Sequence, residues 1–393
     1  MHFSSQEIQQ FRADTSGTQF VTHFNHAGSS LPPDVVLHRQ LDYIHNEHRM
    51  GGYEAMVAFA HDSDGVYQAL AQYLNAAPEE IALAESATVA WYKAFRAIDW
   101  REGDQILVAQ STYGTNYLAY LQAQEQLGIE FKVIPNDRDG VLDLTALEAA
   151  IGPKTRMLAL THLPTNGGLV NPAEEVGALA AKHGLLYLLD ACQSAGQMPL
   201  DVKALNCDFL SATGRKFLRG PRGTGFLYVK QALIEQLEPP MVDIYGAEWD
   251  SLDGYTLNPG AKRFENFEFN RANRIGLGAA VSYFLQVGPA RAWGQIQRLA
   301  AELRQGLEAI PGIEVHDLGR IRSGIVTFTS QHHTPDQIKA HLAAHRVNVS
   351  LAWMGSARLD LERRGLSRLV RASVHYFNTE EEIDELLSLV KAL

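Results

Sequence analysis

Cysteine is almost missing: the 393 residues hold two, Cys192 and Cys207. Two thiols cannot build a disulfide framework, and their scarcity suits a reducing cytoplasm, where the chain is expected to reside. No stretch approaches the roughly 18 consecutive apolar residues that a membrane-crossing helix needs. The opening Met1-His2-Phe3-Ser4-Ser5-Gln6-Glu7 has neither a basic start nor an apolar core, so no signal peptide is expected. Basic blocks are lacking too. Lys and Arg number 34 against 45 Asp and Glu, and the net charge of -11 argues against a nucleic-acid surface. There is no internal repeat and no low-complexity tract. What is present is an ordinary globular composition, in a chain long enough for two domains with separate cores.

From about residue 65 to 230, amphipathic helices alternate with short apolar strands. Gly65–Asn75 places Val66, Leu70, Tyr73 and Leu74 on one helical face. Gln105–Ala109, Ile129–Ile134 and Arg156–Leu160 read as strands, and Ala173–His183 as a helix stopped by Gly184. Leu185–Leu189 is almost wholly apolar, as a strand covered on both faces should be, and Asp190 closes it. The alternation predicts an α/β fold with a mainly parallel sheet and ligands at the carboxyl ends of its strands.

After Phe226–Val229 the rhythm changes. Residues 240–270 read as an irregular connection or active-site segment. One long helical stretch is expected over 273–309. Then come a strand at Ile325–Phe328, a helix over Pro335–His345, the short run Val347–Ser350 and a closing helix over Glu380–Lys391. These predict a smaller α+β domain. The expected division is an N-terminal segment (1–25), a large domain (26–265) and a small C-terminal domain (266–393).

Lys216 stands in Thr213-Gly214-Arg215-Lys216-Phe217-Leu218-Arg219-Gly220-Pro221-Arg222-Gly223-Thr224-Gly225. It lies 26 residues (216 minus 190) after Asp190-Ala191-Cys192-Gln193. An amine in a glycine-rich loop, preceded by an aspartate that ends an apolar strand, is what pyridoxal 5'-phosphate needs. The lysine forms the Schiff base, and the aspartate keeps the pyridine nitrogen protonated so that the ring accepts electrons. Alone, such a lysine is a surface residue in a turn, and such an aspartate a helix N-cap. Their combination carries the reading. Gln193 either reaches the cofactor's phenolic oxygen or is a polar loop residue.

Other residues fall around the same sheet edge. Glu85-Ser86-Ala87-Thr88 precedes a helical run over Val89–Ile98. There, free amides and the hydroxyls of Ser86 and Thr88 favour an anion, or simply cap the helix. Thr213 and Arg215 would form a second side of a phosphate cup. Tyr113 either stacks on the pyridine face or packs as a loop aromatic. His162-Leu163-Pro164-Thr165-Asn166-Gly167-Gly168 brings Thr165 or Asn166 to this edge, with His162 a cofactor neighbour or a satisfied buried histidine. Arg371 is placed either to grip a substrate carboxylate bidentately or to form a surface salt bridge. Tyr53, Tyr245, Trp249 and Trp353 lie in loop-like stretches, shaping a pocket or packing turns.

With these motifs in this order, the chain resembles the class V aminotransferase family of pyridoxal-phosphate enzymes (fold type I). Within it, the likeness is to the branch of cysteine desulfurases, selenocysteine lyases, isopenicillin N epimerases and ergothioneine-type C–S lyases. It runs from Asn25-His26-Ala27-Gly28 to Arg371–Asp384 and rests most on the Asp190, Lys216 and Arg371 segments. The resemblance implies a large domain with a seven-stranded-type sheet sandwiched by helices, plus the smaller domain. It implies Lys216 as the Schiff-base lysine, Asp190 as the pyridine partner and Gln193 as the phenolate neighbour. Ala87, Thr88, Thr213 and Arg215 would hold phosphate, Tyr113 would stack, and Thr165 would lie beside the cofactor. Arg371, Tyr53 and Asn25 would meet a small amino-acid substrate. A homodimer without metal is implied as well.

Two departures narrow the activity. Desulfurases of this family carry a persulfide-forming cysteine shortly before the C-terminal arginine, whereas Leu351-Ala352-Trp353-Met354-Gly355-Ser356-Ala357-Arg358 has none. Many relatives place a threonine where Arg263-Phe264-Glu265-Asn266-Phe267-Glu268 brings Glu268, a pattern closer to the ergothioneine-pathway C–S lyases. The expectation is a β-eliminating C–S lyase acting on a cysteine conjugate or sulfoxide without a protein persulfide. The alternatives are an aminotransferase or an epimerase, because the motifs fix a cofactor and not the bond that breaks. A non-catalytic binding protein is disfavoured by Lys216, Asp190 and Arg371 occurring together.

Overall fold

Successive residues of a strand point to opposite faces of its sheet, and here they feed two separate cores. The structure is a computed structural model, and it describes residues 3–393. Seven strands form the main sheet: β1 (Ile81–Ala84), β2 (Gln105–Ala109), β3 (Glu130–Ile134), β4 (Thr155–Thr161), β5 (Leu186–Asp190), β6 (Phe209–Thr213) and β7 (Gly225–Val229). Their order is β1-β7-β6-β5-β4-β2-β3. Strands β2 to β6 are parallel, and β7 runs against both β6 and β1.

The helices that matter below are α1 (Asp34–Met50), α2 (Ala60–Leu74), α3 (Ala87–Arg96), α4 (Gly114–Leu127), α5 (Ala173–His183), α6 (Arg271–Val287), α7 (Pro289–Glu308), α8 (Pro335–Ala344) and α9 (Glu380–Lys391). On one face of the sheet, Leu107, Leu158, Leu160, Leu189 and Leu210 pack on Leu70 of α2, Val176 of α5 and Leu277 of α6. On the other, Ile106, Val108, Met157, Leu188 and Phe209 pack on Trp91 and Phe95 of α3 and Tyr120 of α4. Burial on both faces is why β5 has no charged residue before Asp190, and its one hydroxyl, on Tyr187, is bonded to Ala173 O. Truncating Leu158 to alanine in such a site costs about 2–5 kcal/mol.

Register aligns the site. Ala84 pairs with Gly225 and Gly225 with Thr213, while Ser211 pairs with Asp190 and Asp190 with Thr161. The carboxyl ends of β1, β4, β5 and β6 therefore share one edge with the start of β7, and the loops bearing Ser86, Thr165, Gln193 and Lys216 rise from it.

A second, antiparallel sheet comprises β8 (Ile313–Val315), β9 (Ile325–Ser330), β10 (Ser350–Trp353) and β11 (Arg368–Ser373), in the order β8-β9-β11-β10. Leu299 and Leu303 of α7, Leu342 of α8, Ile383 of α9 and Phe24 cover it. Thr22–His23 runs parallel to Val347–Asn348, and Asn25 bridges to Ser373. The early chain is thereby laid against the strand that carries Arg371.

Two expectations are corrected. The stretch 273–309 is two helices, because Gly288 (φ 89°) takes a conformation that favours glycine and Pro289 starts α7 without needing an amide partner. Within 240–270, Ala247–Ser251 and Gly254–Leu257 form an antiparallel hairpin, turned at Leu252-Asp253. Helix boundaries move by a few residues: α2 starts at Ala60 and α3 at Ala87. Among the described residues, no helix is long and apolar enough to cross a membrane.

Candidate active site

Lys216 follows β6 in a turn braced from within. Gly214 N donates to Thr224 O (3.1 Å), Gly220 N to Gly214 O (2.7 Å) and Arg219 N to Lys216 O (2.9 Å). Arg219, at φ 65°, is fully buried. Its side chain donates to Leu31 O (2.9 Å) and Tyr376 Oη (2.7 Å), and its guanidinium lies 4.1 Å from the centre of the Phe377 ring. The amine this turn presents is itself buried, 5.8 Å from the centre of the Tyr113 ring. Burial lowers its pKa below the ordinary lysine value, helped by the charges of Arg215 and Arg371 and opposed by Cys192 and Asp190. A buried amine of reduced basicity can hold a lone pair near neutral pH.

Asp190, at the end of β5, is buried and held by two donors. Asn116 Nδ2 donates to one carboxylate oxygen (2.8 Å) and Cys192 N to the other (3.0 Å). The Cys192 thiol is pushed far above its ordinary pKa by burial and by Asp190, so it stays protonated.

Gln193, Thr165 and Arg371 form a chain of contacts. Gln193 Nε2 donates to Ala27 O (3.1 Å) and Thr165 Oγ1 (3.0 Å), leaving its Oε1 buried without a partner. Arg371 Nη1 donates to Thr165 O (2.9 Å) and Oγ1 (2.8 Å), and its Nε donates to Ser350 Oγ (2.9 Å). Burial lowers the Arg371 pKa to about 10, so the guanidinium is still charged at neutral pH. Asn25 Oδ1 is a second buried oxygen without a partner.

The β7 start presses on the other wall. A Cβ on Gly225 would come within 2.4 Å of the Ser86 carbonyl carbon and 2.7 Å of Ala87 N. The first turn of α3 therefore abuts the end of the Lys216 loop. Ser86 caps this helix by accepting from Val89 N (3.2 Å), while Thr88 is exposed. Thr213 Oγ1 donates to Thr224 O (3.1 Å), and Arg215 donates to Gly28 O.

Not every expected residue joins this cluster. Tyr53 is 68% exposed and lines a separate cavity of about 420 Å³ with Phe267, Glu268, Phe269 and Arg271. Trp249 lies exposed on the hairpin, and Tyr245 packs edge-on against Phe269 (5.9 Å). His162 touches Asp190 only through the backbone, N to O at 2.9 Å, and burial lowers its pKa to about 4. Asn166 Nδ2 donates to Ser356 Oγ (2.8 Å) and the Trp353 carbonyl (3.5 Å). Gly114 is required nearby, since a Cβ there would sit 2.2 Å from Gly355 O. Asn116 and Ser350 escaped the sequence reading. Asn116 gave a faint signal, an uncharged amide inside a helix start one turn after Tyr113, where asparagine is a poor helix former.

The assembled site holds a buried amine within reach of the charges of Asp190, Arg215 and Arg371. Its guanidinium groups suit an anionic ligand, and its carboxylate suits a basic ring nitrogen.

The family described as "Aminotransferase class-V" matches residues 21–386. A probable cysteine desulfurase of Methanothermobacter thermautotrophicus is 31% identical over 370 residues, covering 92% of both chains. Among solved structures, the apo cysteine desulfurase of Thermococcus onnurineus superposes with a TM-score of 0.91 at 27% identity, covering 98% of this chain and 97% of that one. The cystine C–S lyase C-DES, in complex with its reaction product cysteine persulfide, gives 0.86 at 26% identity, over 96% and 99%. A mutant of C-DES with glycine covalently linked to its PLP cofactor also gives 0.86, at 25% identity over 97% and 98%.

Proposed function

The chain belongs to the class V aminotransferase family, and from that premise we propose that it is a β-eliminating C–S lyase acting on a cysteine conjugate or its sulfoxide. It is a pyridoxal-phosphate-dependent enzyme, and the residues present fit that cofactor. Gln193 Oε1 and Asn25 Oδ1 are buried acceptors lacking partners, and the charged groups of the site combine the donors Lys216, Arg215 and Arg371 with the acceptor Asp190. Lys216 would bind it covalently and Asp190 would face its ring nitrogen. Tyr113 would cover the ring, and Arg215, Thr213, Thr88 and the Ala87 amide would hold its phosphate. When bound, the cofactor supplies an electron sink for the carbanion left at the substrate α-carbon.

The protein's own groups do the rest. Arg371 binds the α-carboxylate and orients the Cα–H bond. Lys216, kept weakly basic by burial, takes the α-proton onto Nζ. Asp190, its carboxylate fixed by two donors, would face the ring nitrogen and favour a proton there. The Cβ–S bond breaks with its electron pair going to sulfur, and the remaining carbon skeleton hydrolyses to pyruvate and ammonium. No protein thiol is needed to accept the sulfur.

One observation carries the choice of lyase over persulfide-forming desulfurase. The segment leading back to the arginine strand, 351–358, contains no cysteine and is pinned by Asn166 to Ser356 and Trp353. C-DES, whose product is a free persulfide, supports the same division of labour. Lys216→Ala should abolish pyruvate release from a cysteine conjugate; wild-type turnover in that variant refutes the assignment.

A further inference from the structure

Asp190 must be correctly turned to face a ring nitrogen, and nothing within its own strand turns it. The structure places that control on another element. Asn116 lies in the first turn of α4, one helical turn after Tyr113, and is buried. Its Nδ2 is 2.8 Å from Asp190 Oδ2. Oδ1 of the same carboxylate is taken by Cys192 N at 3.0 Å.

An ionised carboxylate only accepts hydrogen bonds, so Asn116 must present its amino group and not its oxygen. Reversing the amide would set two acceptors against each other. A proton on Oδ2 would collide with the same N–H. The contact therefore fixes the carboxylate plane with one donor on each oxygen. From this we infer that Asn116 is a positioning residue for Asp190. It fixes the turn of the carboxylate and leaves its remaining lone pairs for the ring nitrogen. Helix α4 then does two jobs from one turn, since Tyr113 at its cap faces Lys216. The inference rests on the reading of Asp190 given above.

The test reads the cofactor and not turnover alone. Holoenzyme is prepared with pyridoxal phosphate carrying the heavy nitrogen isotope in its ring, and the ring nitrogen's NMR shift reports its protonation. Wild type shows the protonated ring. In Asn116→Ala, Asp190 Oδ2 loses its donor, and the ring nitrogen is partly deprotonated. Asn116→Leu fills the volume of the amide without donating and guards against a collapsed alanine variant. It shows a partly deprotonated ring and a kcat lower by about tenfold to a hundredfold, with KM little changed. A wild-type nitrogen signal in both variants overturns the inference while leaving the Asp190 reading standing. An unprotonated ring nitrogen in wild type removes the Asp190 reading itself, and this inference with it.

Discussion

Thr165 accepts from Arg371 twice, through its carbonyl at 2.9 Å and its hydroxyl at 2.8 Å. Both hydrogens of Nη1 are used by these contacts, and Nε is used by Ser350. Among the described residues, Nη2 has no hydrogen bond, so it is the end of the fork left for a carboxylate. The guanidinium is rigid before substrate arrives, which reduces the ordering cost of binding. A lysine cannot reproduce three fixed directions from one ammonium. Arg371→Lys should raise KM about tenfold to a hundredfold, corresponding to about 1.5–3 kcal/mol for a lost charged hydrogen bond. Steady-state kinetics that left KM unchanged would remove Arg371 from the carboxylate site.

Acid should unfold the protein in a defined window. His162 is neutral in the fold, with a pKa of about 4 against 6.5 when free. Because the unfolded state binds the proton more readily, this contribution is intact above pH 6.5 and is lost as pH falls from 6.5 towards 4. It amounts to about 3 kcal/mol. His26 and His375, packed 5.0 Å apart near Arg219, shift in the same direction through burial. Urea midpoints measured across that window should fall, and His162→Gln should flatten part of the fall. A midpoint independent of pH would contradict the burial argument.

Arg219 is the clamp of the Lys216 turn. Arg219→Met keeps the apolar stem but leaves Leu31 O, Tyr376 Oη and Thr15 Oγ1 without their donor. A loss of about 3 kcal/mol or more is expected, since each buried neutral acceptor left without a donor costs about 1–3 kcal/mol. Thermal unfolding checks it, and a variant as stable as wild type would show that the turn is held by its backbone alone.

Sulfur should leave the enzyme without ever bonding to it. The Cys192 thiol is held protonated by burial and the neighbouring Asp190, and Cys207 is buried. Intact-mass spectrometry after turnover should show no sulfur adduct. An adduct on either cysteine would return the protein to the persulfide-forming desulfurases.

Much of the fold was legible because its strands are buried on both faces. The strand Gln105–Ala109 and the helices Ala173–His183 and Glu380–Lys391 occur with the bounds their apolar pattern and caps imply. Asp190, Gln193 and Lys216 drew notice in the sequence because an acid closing an apolar strand and a lysine in a glycine-rich loop stand out by residue type and spacing. What escaped depends on packing between distant segments. The Asn116 contact spans 74 residues and that of Arg371 with Thr165 spans 206, so no local pattern encodes them. The break at Gly288-Pro289 was written in the sequence, but the strong amphipathic period on either side concealed it.

The most direct measurement mixes purified protein and pyridoxal phosphate with a panel of amino acids and cysteine conjugates, following visible absorbance and products together. Pyruvate and ammonium from a cysteine conjugate, with the starting spectrum restored after turnover, is the predicted result. Conversion of the cofactor to its amino form, with a keto acid matching the donor, would contradict the lyase account and make the protein a transaminase.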